Sequence, residues 1–156
     1  MDQMKALGLS PSFTIGHVYY WGEAFRTKIF GPQRANLIDP CASVLNKGMR
    51  LSLHSDYNVT PLGPLRYVHN AVTRNLRGTS QTLNPAEALT PMQALRAVTI
   101  DAAWQCHMDD IVGSLEVGKC ADFAILDHDP TKVDPMAIVD IPVRETWVAG
   151  ERRFVG

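Results

Sequence analysis

Long apolar runs are missing from the 156-residue chain. No stretch approaches the roughly 18 uninterrupted apolar residues of a membrane helix, so a helical span is excluded. Charge of one sign is missing too: 15 Lys and Arg face 16 Asp and Glu, for a formal charge of -1 and a pI near 6.5. No basic field is available to hold nucleic acid by neutralising phosphates. Cysteine is scarce. Cys41, Cys106 and Cys120 are odd in number, widely spaced and without a C-x-x-C pair. That argues against a disulfide frame and a structural zinc site, and fits reduced thiols in the cytoplasm. Residues 1–5 have no apolar core or cleavage site of the secretory type. There is no G-x-S-x-G, no Gly-rich phosphate loop and no G-x-G-x-x-G. Internal repeats, low-complexity tracts and coiled-coil heptads are absent as well.

What is present suffices for one core. Hydrophobic residues make up 46% of the chain and charged residues 20%, which excludes a disordered tail and argues for one domain. A complete (β/α)8 barrel needs about 250 residues, so barrel motifs here would belong to part of one.

Along the chain, residues 2–8 read as a helix end closed by Gly8. Residues 12–20, rich in β-branched and aromatic side chains, predict a strand, and residues 21–38 a loop with at most a short helical turn. Asp39-Pro40 predicts an N-cap followed by proline at the first helical position, with the helix stopping at Gly48. Residues 50–54 form the next strand, and residues 56–64 a polar loop. Leu65, Val68, Val72 and Leu76 lie on one helical stripe. Thr90-Pro91 opens another helix, with Leu95, Val98, Ala102 and Cys106 as its buried face. Residues 121–126 predict a buried strand, residues 130–138 an irregular loop, and residues 143–154 a strand pair turning at 149–151.

His54-Ser55-Asp56 carries the sharpest chemistry. It stands where a strand ends and a long loop begins, the place where reacting groups gather in α/β folds. Positions 54 and 56 of an extended strand face the same side. A carboxylate there can bind a divalent metal or take a proton from metal-bound water, and the imidazole can be a ligand or orient the carboxylate. The plainer alternative is that Asp56 caps the loop and His54 is a packed, hydrogen-bonded core histidine. His17 ends the earlier strand in the same way, with Tyr19, Tyr20 and Trp21 behind it as pocket walls or packing. Arg74, near the end of its helix, can meet an anionic substrate or answer the helix dipole. His69, His107 and His128 read as surface residues, and Asp109-Asp110 and Asp127-His128-Asp129 as solvated turns.

Ser55-Asp56 followed by Val59-Thr60-Pro61, Pro64-Leu65 and Ala71-Val72-Thr73-Arg74 resembles the last barrel strand and loop of metal-dependent amidohydrolases of the YtcJ-like (amidohydrolase 3) branch. Pro85-Ala86-Glu87-Ala88-Leu89-Thr90 and Ala94-Leu95-Arg96-Ala97 resemble its helical segment. Gly113-Ser114-Leu115-Glu116-Val117-Gly118-Lys119-Cys120-Ala121-Asp122-Phe123 is similar to the superfamily's G-S-[LI]-E-x-G-K-x-A-D-[FL] signature, and Thr146-Trp147-Val148-Ala149-Gly150-Glu151 to its closing strand.

The resemblance implies an α/β fold: the last strands and helices of a (β/α)8 barrel in residues 1–111, then strands of a small composite β-sandwich in residues 112–156. It makes residues 12–18 barrel strand seven and residues 51–56 strand eight. Asp56 then matches the aspartate that binds the metal and handles the proton of the attacking water. His17, His54 and Arg74 fall to substrate contact. His54 and Asn58 depart from the family pattern, where a small residue and a proline are usual. The implied cofactor is a divalent metal, zinc foremost, whose other ligands come from strands outside this chain. The implied substrate is a small amide-type molecule, with hydrolysis of C–N bonds by metal-activated water. The chain alone is expected to be inactive and to self-associate, unless the rest of the barrel covers its open edges. The competing expectation is a non-catalytic remnant serving as a structural or interaction domain.

Overall fold

A computed structural model describes all residues, 1–156. Its elements run α1 (Asp2–Ala6), β1 (Ser12–Thr14), α2 (Gly16–Ala24), a π-helical turn (Phe25–Ile29), α3 (Gly31–Ala35), α4 (Cys41–Asn46) and β2 (Ser52–His54). Then follow α5 (Pro64–Thr73), a 3-10 turn (Pro85–Glu87), α6 (Pro91–Ala97), α7 (Ile100–Gln105), β3 (Phe123–Leu126), a second 3-10 turn (Pro135–Asp140), β4 (Val143–Val148) and β5 (Glu151–Val155).

β1 and β2 pair in parallel, with Ser12 opposite Ser52, Phe13 opposite Leu53 and Thr14 opposite His54. Alternation divides the pair into two faces. Phe13, Leu51 and Leu53 join the hydrophobic core. Ser12, Thr14, Ser52 and His54 face the other way and bond to one another. The core also takes Ile15 and Val18 from the start of α2, Val44 from α4, Val68 and Ala71 from α5, and Ala94 and Ala97 from α6. Of the expected α5 stripe, Val68 is fully buried and Leu65 and Val72 pack against the core, while the helix ends at Thr73 and leaves Leu76 beyond it. Thr90 builds the expected N-terminus of α6: its hydroxyl accepts from the Gln93 amide at 3.3 Å, and the Gln93 side chain accepts from the Thr90 amide at 2.9 Å.

Strands β3, β4 and β5 form a separate antiparallel sheet in that order. No residue of this sheet belongs to the core cluster. Between the sheet and helices α5 to α7 lies an open, mostly apolar cavity of about 840 Å³, walled by Leu65, Val68, Val98, Ala102, Phe123 and Val143. No helix is long and apolar enough to cross a membrane.

Several local expectations are corrected. The strand expected at residues 12–20 stops at Thr14, and His17 lies in the first turn of α2. Its β-branched and aromatic composition is overridden by packing: Ile15, Val18 and Gly22 are buried at helical spacing, and a Cβ on Gly22 would sit 2.5 Å from Leu76. Residues 21–38 are largely helical rather than loop. The helix after Thr90 breaks at Thr99, whose hydroxyl donates to the Leu95 carbonyl at 2.7 Å, and Cys106 is exposed. β3 starts at Phe123, and its Ala124 and Ile125 face solvent rather than filling a core.

Candidate active site at the strand ends

Because β1 and β2 are parallel, their carboxyl ends meet on one side of the molecule. Past His54 the chain turns sharply. Ser55 is buried, and Asp56 adopts a left-handed backbone with φ +51°, a conformation aspartate tolerates better than most residues. The turn is closed by three bonds. The Val59 amide donates to the Asp56 carbonyl at 2.6 Å. The Thr60 amide and hydroxyl both donate to the Ser55 carbonyl, at 3.2 and 2.7 Å. The Asp56 side chain is left exposed.

His54 is held by its neighbours across the strand pair. Its Nδ1 meets Ser12 Oγ at 2.8 Å and its Nε2 meets Thr14 Oγ1 at 2.8 Å. Each ring nitrogen thus has a hydroxyl partner on the neighbouring strand. Ser52 continues this polar face: its hydroxyl donates to Gln105 Oε1 of α7 and lies 2.8 Å from Ser12 Oγ. Gln105, which no sequence motif marks, also donates to Ser10 Oγ and to the Pro11 carbonyl.

His17 reaches the same neighbourhood from α2. Burial pushes its pKa down, the Asp56 charge pushes it up, and the charge of His54 pushes it down. Those influences place His17, His54 and Asp56 within one electrostatic environment. Phe25 stands edge-on to the His17 ring, with centroids 6.1 Å apart. Tyr19 and Tyr20 pack edge to face at 4.9 Å. No three His, Cys, Asp or Glu side chains converge closely enough to hold a metal ion. The exposed Asp56 carboxylate could give a metal one contact of the several that a site needs.

Arg74 is placed elsewhere, which corrects its expected substrate contact. It is fully buried with φ +49°, and its guanidinium donates to the carbonyls of Leu83, Asp39 and Ile38 at 2.8, 2.9 and 2.9 Å. Three of its five N–H groups are thus spent on backbone. Asp39 is likewise not the expected N-cap of α4; its own φ is +46°. The α4 amide at Ser43 is instead satisfied by Glu87, which accepts from the Ser43 amide at 2.8 Å and from its hydroxyl. One Asp39 carboxylate oxygen is buried without a partner, and burial raises its pKa to about 7 against the pull of Arg74. Nothing in the local sequence signals either arrangement.

His69, expected at the surface, is buried in α5. Its Nδ1 lies 3.2 Å from the Pro135 carbonyl, and burial lowers its pKa. His107 and His128 are exposed, as expected. Asp127 pairs with Arg144 at 2.9 Å. Asp129 accepts from Thr131 and pairs with Lys132, which lowers its pKa to about 2.

A mixed α/β chain with a carboxylate and imidazoles gathered at parallel strand ends has the layout of an α/β enzyme segment. The chain belongs to the amidohydrolase family, whose model matches residues 1–154. The N-substituted formamide deformylase of Arthrobacter pascens is 32% identical over 153 residues, which cover 98% of this chain and 28% of that relative. Two solved structures share the fold. A metal-dependent hydrolase of Pyrococcus furiosus superposes with a TM-score of 0.67 at 22% identity, over 84% of this chain and 26% of that one. A Xanthomonas campestris adenosine deaminase solved with bound zinc superposes with a TM-score of 0.66 at 20% identity, over 99% of this chain and 34% of that one.

Proposed function

We propose that the chain is the C-terminal part of a metal-dependent amidohydrolase that cleaves amide-type C–N bonds of a small molecule with a metal-activated water. The observation that carries this reading is Asp56: an exposed carboxylate on a tight turn at the carboxyl end of one of two parallel strands, beside His17 and His54. Residues 1–111 are read as barrel strands seven and eight with their helices, and residues 112–156 as part of a composite β-sandwich. The parallel register of β1 with β2 and the separate antiparallel sheet support this division.

Asp56 would be one ligand of a divalent metal, zinc in the first instance. The metal, when bound, acidifies water and polarises the carbonyl. Asp56 would be the group that accepts a proton from the attacking water. His17 contacts substrate from the first turn of α2. His54, locked by Ser12 and Thr14, shapes the floor beside it. Three free thiols support a reducing, cytoplasmic setting. The open cavity and the unpaired edges of β3 and β5 would be covered by the rest of the protein or by a second copy.

The chain on its own favours the second reading, a structural or interaction domain without catalysis, because it brings a single free carboxylate to the strand ends. The deciding experiment measures hydrolysis of simple amides, N-formyl amines and N-acyl amino acids with added zinc, by this chain and by the chain extended with its upstream sequence. Turnover by the extended form alone, abolished by Asp56→Ala, supports the amidohydrolase. Turnover by neither supports the remnant.

A further inference from the structure

Gly16 opens α2, one residue before His17. A Cβ built on it would lie 2.6 Å from Thr60 Cγ2 and 2.7 Å from Thr60 Cβ and Oγ1. The backbone at the start of α2 therefore rests directly on the Thr60 side chain, and only glycine permits the approach. Thr60 is 2% exposed. Its hydroxyl and its amide both close on the carbonyl of Ser55, itself 4% exposed and one residue before Asp56. One buried side chain thus touches the residue before each of the two groups assigned to chemistry.

We propose that Thr60 is a positioning residue. Its hydroxyl ties the turn that presents Asp56, and its methyl face sets how closely that turn approaches Gly16 and hence His17. The proposal rests on the amidohydrolase reading of Asp56 and His17. Valine has nearly the shape of threonine, so Thr60→Val keeps the contact with Gly16 and removes only the tie, leaving the Ser55 carbonyl with the amide bond alone. Serine keeps the donor.

The test uses the full-length enzyme containing this segment, with four readouts: kcat, KM, metal content and amide hydrogen exchange. In Thr60→Val, exchange should quicken in residues 55–60 while β1 and β2 stay protected. kcat should fall about tenfold to a hundredfold, the cost expected of a misplaced catalytic group. KM and metal content should hold, and Thr60→Ser should restore both kcat and exchange. Unchanged exchange of residues 55–60 in Thr60→Val overturns the proposal, as does a Thr60→Ser variant no better than valine. Asp56→Asn, run alongside, separates the two claims. A normal kcat in that variant removes the amidohydrolase reading, whereas the exchange comparison still reports whether Thr60 holds the turn.

Discussion

Residues 113–123 and residues 52–60 differ in a way that separates recognisability from chemistry. The first segment carries the most specific pattern in the chain, yet Leu115 is 73% exposed and Val117 fully exposed. Its middle is tied locally, Lys119 donating to Ser114 and pairing with Glu116, while only its end reaches the sheet, where Asp122 accepts from the Ala149 amide at 2.7 Å. What its pattern encodes is backbone: Gly113 has φ +93°, and a Cβ there would lie 2.7 Å from Ala103. The second segment is far less distinctive as a string. In the fold, however, Ser52, Leu53, Ser55 and Thr60 are buried, and their polar groups bond to partners on other elements or across the turn. A strong signature here marks where a chain must bend, while reactive groups are aimed by packing spread over many residues.

The largest test of that contrast lies at Asp56. On the proposed amidohydrolase reading, Asp56→Asn in the full-length protein should lower kcat by about 10²–10⁴, the usual worth of general acid–base work, with metal content measured on the same sample. His17→Ala should act mainly on KM. If His17→Ala loses metal while Asp56→Asn keeps its rate, the roles are reversed. Next comes the packing beneath the strand ends. Leu51, at 1% exposure, lies in the core, and Leu51→Ala should cost about 2–5 kcal/mol in urea unfolding.

A smaller effect depends on pH. Asp39 titrates near 7 in the fold, against an ordinary value of 3.8. The folded state therefore holds its proton where the unfolded chain has lost it. The stability this gives is complete below about pH 3.8 and is lost as pH rises through about 7. Asp39→Asn should match the native chain at pH 4 and exceed it at pH 8 by up to about 4 kcal/mol, at about 1.4 kcal/mol for each pH unit between 3.8 and about 7. His17 and His69 act in the opposite sense. Burial lowers both, so their contribution is present above pH 6.5 and is lost as pH falls through their depressed values. Thermal unfolding of native and Asp39→Asn chains across that range shows the divergence. The smallest effect belongs to the signature itself: Val117→Ser should change stability by no more than about 0.5 kcal/mol. A loss several times larger would mean that the exposed segment is covered in the intact protein.

Much of the helical framework was legible because its signals are local. The apolar stripe of α5 and the Thr90–Gln93 cap each lie within a few residues. The stretch from 12 to 38 was misjudged because aromatic and β-branched residues favour strands only when the surroundings are a sheet. Here Ile15, Val18 and Gly22 meet α5 and the segment carrying Leu76 and Leu83. At the site, Asp56 and His54 were visible as residues ending a strand. The roles of Arg74, Glu87 and Thr60 were not, because each is defined by a partner that no periodicity reports: Arg74 by carbonyls of residues 38, 39 and 83, Glu87 by Ser43, Thr60 by Gly16.

The buried guanidinium of Arg74 bears on how this chain can change in length. It clamps the backbone at residues 38 and 39, just where the exposed stretch holding Ile29, Phe30 and Leu37 rejoins the core. An insertion at the exposed junction of residues 29–31, between the π-helical turn and α3, would reach that clamp and stop, leaving α4 and β2 in register. Loop closure adds only about 0.6 kcal/mol for each doubling of a connection's length, so the fold can lengthen at that junction cheaply while Asp56 keeps its place.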